Sequence, residues 1–174
     1  MNKRILPAII LAVFIAGCST FPKDDIQIKS EADPKVNFSG YKTYAWLGAV
    51  GIVKDPQGQW EPPQFDADTE ITFQINNALQ NRGMTEDNVN PDMLVAYALG
   101  IDMEALQAKQ DPETDFETLE NVPQAGLIVL LIDPETEFVT WVSIAIAEYK
   151  NLEPEVAKLR IKYAVNEMFK GLPK

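Results

Sequence analysis

Hydrophobic positions along this chain recur with two periods, and the order in which the periods alternate predicts the fold. Residues 24–29 alternate around Ile26 and Ile28, a strand pattern. Asp33-Pro34 marks a turn, and the aromatic-rich segment 41–47 predicts a second strand. Residues 48–65 contain Gly48, Gly51, Pro56, Gly58, Pro62 and Pro63 and read as a long loop carrying Trp60. The period then changes. Ile71, Ile75, Ala78, Leu79 and Arg82 fall at helical spacing, with Asp66 or Asp68 as N-cap and Gly83 as stop, so a helix is expected over 67–82.

Residues 92–106 return to period two. Met93, Val95, Tyr97, Leu99, Ile101 and Met103 share a face expected in the core, while the opposite face is small and then polar. Residues 107–124 read as an acidic loop with Pro112 and Pro123. Two apolar runs, 126–132 and 138–149, flank Asp133-Pro134-Glu135-Thr136 and predict a hairpin. With Pro134 and Glu135 central, Leu131 faces Phe138, and Ile128, Leu130, Ile132, Val139 and Trp141 lie on one side of the hairpin. A one-residue change in loop length would exchange the two sets on one strand. Pro154 opens a last helix with an Ala157, Ile161, Ala164, Val165 and Met168 stripe, stopped by Gly171. The order strand, strand, helix, strand, strand, strand, helix predicts an α+β domain over 26–174. Its antiparallel sheet has about five strands, and two helices pack mainly on one face.

Both faces of the hairpin are apolar in either register. A sheet covered on one side should be polar on the other. Ile128, Leu130, Ile132, Val139 and Trp141 are therefore a candidate interaction face. The 48–65 loop is the first expectation for its cover. A second subunit or an envelope partner is the alternative.

The N-terminus is read separately. Lys3 and Arg4 precede an uncharged apolar run, 5–16, then Gly17 and Cys18. This is the layout of an export signal, and it is shorter than the ~20 apolar residues that a bilayer span needs. Ile15-Ala16-Gly17-Cys18 resembles the lipobox of bacterial lipoproteins, which implies removal of residues 1–17 and lipidation of Cys18. Two or more acyl chains anchor stably where one does not. Ser19 after the cysteine resembles the signal for outer-membrane delivery, with the domain facing the periplasm. Residues 18–25 then form a lipidated polar tether with an extended reach of about 25 Å.

Composition narrows the function. Loss of Lys3 and Arg4 leaves 13 basic against 26 acidic side chains, a net charge of −13. That charge opposes nucleic acid binding, which rewards Lys and Arg, and opposes lying flat on anionic lipid. The chain has no histidine and one cysteine, which excludes Ser-His-Asp and Cys-His catalysis, His-ligated zinc and an internal disulfide. Asp111, Glu113, Asp115, Glu117 and Glu120 could suggest calcium. An EF-hand loop from Asp111 would need Gly and Glu where Phe116 and Val122 stand, so a solvated acidic loop is expected. Carboxylate pairs able to hydrolyse glycosides carry no weight among 26 acids. No catalytic residue, cofactor or metal is expected, and an enzyme is not.

Several segments resemble an uncharacterised family of bacterial lipoproteins known as domain of unknown function 4136. They are Asp33, Phe38-Ser39 and Tyr41 to Trp46; Pro91 to Tyr97; Gly126 to Val129 with Asp133 and Trp141; and Ile161, Ala164-Val165 and Leu172-Pro173. The family usually has Arg-Gly after the hairpin Trp. This chain has Val142-Ser143, so a role for that Arg does not carry over. The resemblance implies an α+β fold in the envelope and no reaction. The expected function is a membrane-anchored, non-enzymatic structural or protein-interaction module that meets an envelope protein or another copy. The alternative is a binder of a small apolar ligand between the sheet and the 48–65 loop. A carboxylate hydrolase comes last.

Overall fold

A helix placed between two strands decides the topology. In the computed structural model, which describes residues 21–110 and 117–174, strand β2 (Thr43–Lys54) is followed by helix α1 (Ala67–Gln80) and strand β4 (Met93–Asp102). A helical crossover returns the chain to the end where it began, so β2 and β4 pair in parallel, Tyr44 against Met93 and Lys54 against Asp102. Strand β3 (Thr85–Glu86) adds a short parallel neighbour at the start of β2. The remaining strands of this sheet are antiparallel: β7 (Gln124–Ile132) on β4, β8 (Val139–Glu148) on β7, and β1 (Gln27–Ala32) on β8. The spatial order is β1-β8-β7-β4-β2-β3. Helix α2 (Pro154–Lys170) ends the chain's regular structure.

The α+β class holds, with a six-stranded mixed sheet in place of five antiparallel strands. Two segments read as loops are strands. β2 continues through Gly48 and Gly51 to Lys54, because β4 supplies a full row of partners and Val50, Ile52 and Val53 suit a pleated surface. Within 107–124, β5 (Leu106–Gln110) and β6 (Glu117–Asn121) form a separate two-stranded hairpin. The helices match their periodicity. Asp66 caps α1 by accepting from Thr69 N at 3.0 Å, and Gly83 takes the left-handed φ of 83° that ends its last turn.

Both helices pack on one face of the sheet. Met93, Val95 and Tyr97 of β4, Leu127, Val129 and Leu131 of β7, and Trp141 and Ala145 of β8 meet Ile71, Ile75 and Leu79 of α1 and Val165 and Met168 of α2. Trp141 is 1% exposed, with its ring 5.2 Å from that of Phe169. Arg82, just past α1, donates to the carbonyls of Pro173 (2.8 Å), Phe169 (3.1 Å) and Leu172, closing the carbonyl end of α2. Gly171 passes so near Ser30 that a Cβ there would lie 2.6 Å from it.

The hairpin register differs from the expected one. The chain turns through residues 134–137, with Asp133 N donating to Phe138 O at 3.0 Å and Glu137 N to Asp133 O at 2.9 Å. The Asp133 carboxylate accepts from Glu135 N (2.9 Å) and Thr136 N (2.8 Å), and Glu137 adopts φ 60°. A bulge at Thr140 follows, so Val139 faces Ile132 while Trp141 faces Leu131. Trp141 thus belongs to the helix-covered core and not to the candidate interaction face.

Residues 21–25 pack along α2. Arg160 donates to Asp25 through two bonds, 2.9 and 2.7 Å, and also to Pro22 O. The Phe21 ring meets that of Tyr163 edge-on at 6.0 Å. Lys23 Nζ lies 4.9 Å from the centroid of the same ring. Among the described residues no helix is long and apolar enough to cross a membrane.

The register predicts a contrast between neighbours on β8. Trp141→Ala should lower unfolding free energy by about 3–5 kcal/mol. Ile144→Thr, on the open side of the sheet, should cost about 1 kcal/mol or less. Urea unfolding measures both, and comparable losses would contradict the register. A second prediction concerns acid. The Arg160 hydrogen bonds hold the Asp25 carboxyl at about 2, below its ordinary 3.8, against the opposing effect of burial. A depressed folded pKa gives stability that is present above the unfolded value and lost as pH falls from about 4 to 2. Its size is about 2 kcal/mol. In acid titrations of stability, Asp25→Asn should be less stable at neutral pH and should flatten this limb. An unchanged limb would show that the pair contributes nothing.

Candidate interaction surface

The open face of the sheet is built row by row. Alternation along β4 sends Met93, Val95 and Tyr97 to the helices and Leu94, Ala96, Ala98 and Gly100 the other way. Register then fixes their neighbours. Ala45, Leu94, Ile132 and Val139 form one row across β2, β4, β7 and β8. Gly48, Ala96, Leu130 and Val142 form the second, and Val50, Ala98, Ile128 and Ile144 the third. Ile52, Gly100, Gly126 and Ile146 form the fourth. No polar side chain interrupts these rows. Four strands spaced ~4.8 Å apart and about eight residues long give an area of roughly 400–500 Å², the size at which exposed apolar patches mark interaction sites.

The patch has a polar frame. Gln27, Lys29 and Glu31 of β1 continue the lower three rows past β8, and Lys29 pairs with Glu31 at 2.8 Å. At the far end Lys54, Asp102, Gln124 and Glu148 make a polar row, with Lys54 Nζ 3.3 Å from Asp102. Ile128, Leu130, Ile132 and Val139 lie where the sequence placed them, on a face with no helix over it. Trp141 does not. Periodicity does not bring Val142, Ile144 and Ile146 to this face, because the bulge at Thr140 shifts the parity of β8 beyond it. The Asp133 turn was visible as a motif, but its length was not.

The 55–66 segment does not cover this face. Trp60, Pro63 and Phe65 lie on the helix side, where they border a cavity of about 210 Å³ with Ile71, Leu99 and Ile161. Tyr149 Oη anchors the segment by donating to Glu61 O at 2.9 Å. The Trp60 indole N–H is buried without a hydrogen-bond partner.

Polar side chains beneath the helices are tied into the fold. Asn76 Oδ1 accepts from Tyr44 Oη (2.9 Å) and Trp46 Nε1 (3.1 Å). Tyr97 donates to Asp68, and burial followed by that carboxylate pushes the phenol well above its ordinary range. The Asp92 carboxylate accepts from Lys42 N (2.8 Å) and Thr43 N (2.9 Å), which lowers its pKa and locks the start of β2 to the start of β4. The aromatic and acidic residues that carry the family resemblance therefore hold strands together. Among the described residues no cluster of three or more metal-ligating side chains occurs. Cys18 and the acids Asp111, Glu113 and Asp115 lie outside the described residues.

The fold has relatives of known structure. A DUF4136 family protein from Bacteroides thetaiotaomicron is 12% identical, with a TM-score of 0.55 over 84% of this chain and 95% of its own. PelC from Paraburkholderia phytofirmans, a dodecamer, is 14% identical, with a TM-score of 0.51 over 84% and 97%. A PDZ domain protein from Parabacteroides distasonis is 15% identical, with a TM-score of 0.51 over 86% of this chain. This chain spans only 37% of that protein. Such likeness shows the shared fold alone. No curated protein matches in sequence. The family model for domain of unknown function DUF4136 matches residues 28–174, nearly all of the α+β fold just described, and the chain therefore belongs to the DUF4136 family.

Proposed function

We propose that this protein is a lipid-anchored, non-enzymatic module of the bacterial envelope that binds protein through the open face of its sheet. The observation that carries the reading is the uninterrupted set of four apolar rows, with neither helix over it. Burial of such a face from water supplies the driving force, at about 25 cal/mol per Å². The polar frame of β1 and of the Lys54 row would form the rim of the interface.

Cys18 supplies the anchor in this reading, with Ser19 directing it to the outer membrane. Residues 21–25 are packed on α2, so only three residue steps separate Cys18 from Phe21, a reach of about 11 Å. The tether is then short, and the domain hangs from its α2 side. The open face lies on the other side of the sheet, free to meet an envelope protein or another copy. PelC, similar in fold, is described as a dodecamer, and self-association is compatible with the same face.

The cavity beneath Trp60 favours a second reading, a small apolar ligand held between the sheet and the 55–66 segment, with the unpartnered indole N–H donating to it. At about 210 Å³ the cavity is smaller than most ligand sites, which begin near 300 Å³. The open face therefore ranks first.

Photo-crosslinking residues at Ile128 and Ile144 should trap one defined protein in cells, whereas the same residue at Lys162, exposed on α2, should not. Adding Ile128→Asp should abolish the adduct formed from Ile144. Equal trapping from both sides of the sheet, or none from the open face, would overturn the proposal. Cys18→Ala should stop lipid labelling and leave precursor uncut. Normal maturation of that variant would remove the anchor from the account.

A further inference from the structure

We propose that two copies of this chain associate by antiparallel pairing of their β2 edges, centred on Gly51. The inference rests on the strand edge and is independent of what binds the open face.

β3 covers β2 only at Thr43 and Tyr44. From Trp46 to Lys54, β2 has β4 on one side and, among the described residues, no strand on the other. The direction of its free backbone groups follows from the register. Met103 N donates to Lys54 O at 3.0 Å, so the Lys54 backbone faces β4. Pairing is unbroken from Gly48 to Lys54. Ile52 and Val50 therefore also face β4, and the N–H and C=O groups of Ala49, Gly51 and Val53 point outward.

Proteins blunt such edges with charges or proline. β1, at the opposite edge, does so with exposed Lys29 and Glu31. β2 has no charge between Thr43 and Val53 and no proline. Its side chains are exposed as well: Leu47 60%, Val50 52%, Ile52 61% and Val53 44%. An edge with three outward donor–acceptor pairs is a template for an extended strand.

A second copy of β2 supplies a well-matched strand. About a twofold axis at Gly51, the two Gly51 residues exchange both backbone bonds, and Ala49 pairs with Val53 of the other copy. Val50 then faces Ile52 on the open side, a β-branched cross-strand pair. Lys54 faces Gly48, and Asp55 faces Leu47. No like charges meet, although each copy is strongly acidic. The same pairing with β1 would set Lys29 and Glu31 beside apolar residues. A contact about 25 Å long and ~10 Å deep buries roughly 500–600 Å² over both copies, the range of weak, reversible interfaces.

The test uses the purified full chain. Gly51→Cys, treated with an oxidant, should form a covalent dimer well above the background set by the parent chain, whose sole thiol is Cys18. Lys29→Cys should stay at background. Sedimentation at high micromolar concentration should show a reversible dimer. Gly51→Pro, which removes only an outward N–H, should shift it to monomer by tenfold or more in Kd. If Gly51→Pro fails to fold by circular dichroism, the crosslinking comparison decides. Background-level crosslinking at Gly51, or a dimer undiminished in folded Gly51→Pro, would overturn the proposal.

Discussion

Both helices are buried against a single face of the sheet, and the rest of the structure depends on that asymmetry. α1 and α2 take up the inward residues of β4, β7 and β8 and, among the described residues, leave no helix over the outward residues of the same strands. The pleat fixes the alternation of side chains, so only a bulge or a register slip exchanges the two faces. Its apolar character is a property of the sequence, written in Leu94, Leu130, Ile128 and Ile144. A sheet of this kind normally carries polar residues on its wet side.

Other features support that asymmetry. Arg82 joins the end of α1 to the last carbonyls of α2 and holds the helix layer together. Arg160 and Asp25 hold the N-terminal segment on α2, keeping it away from the open face. Trp141 fills the space between β8 and α2, and its position requires the Thr140 bulge. The charged residues sit along β1, while β2 carries no charge before Lys54 and is exposed.

Much of this was legible in the sequence where one period ran unbroken. Met93 to Ile101 gave the central strand and its inward face, and Ile71 to Leu79 gave α1 with its cap. Pairing partners were not legible. Gly48 and Gly51 suggested a loop, but hydrogen bonds to β4, distant in sequence, outweigh their weak strand preference. The parallel direction of β2 and β4 followed from the α1 crossover, which the expected all-antiparallel sheet did not use. For the candidate surface, Ile128, Leu130, Ile132 and Val139 were found because both hairpin strands are apolar on both sides. Trp141, Val142, Ile144 and Ile146 fall on the opposite side from that expected because the bulge at Thr140 shifts the parity of β8 beyond it, and periodicity does not reveal a bulge.

In the cell the open face is expected to be covered by protein. Thiol reactivity tests it directly, because Cys18 is the only cysteine. A cysteine placed at Ala98, in the middle of the face, should react readily with a maleimide in the purified chain at nanomolar concentration. In intact cells it should be protected severalfold relative to a cysteine at Lys162 on α2. Equal reactivity at the two positions in cells would contradict the account.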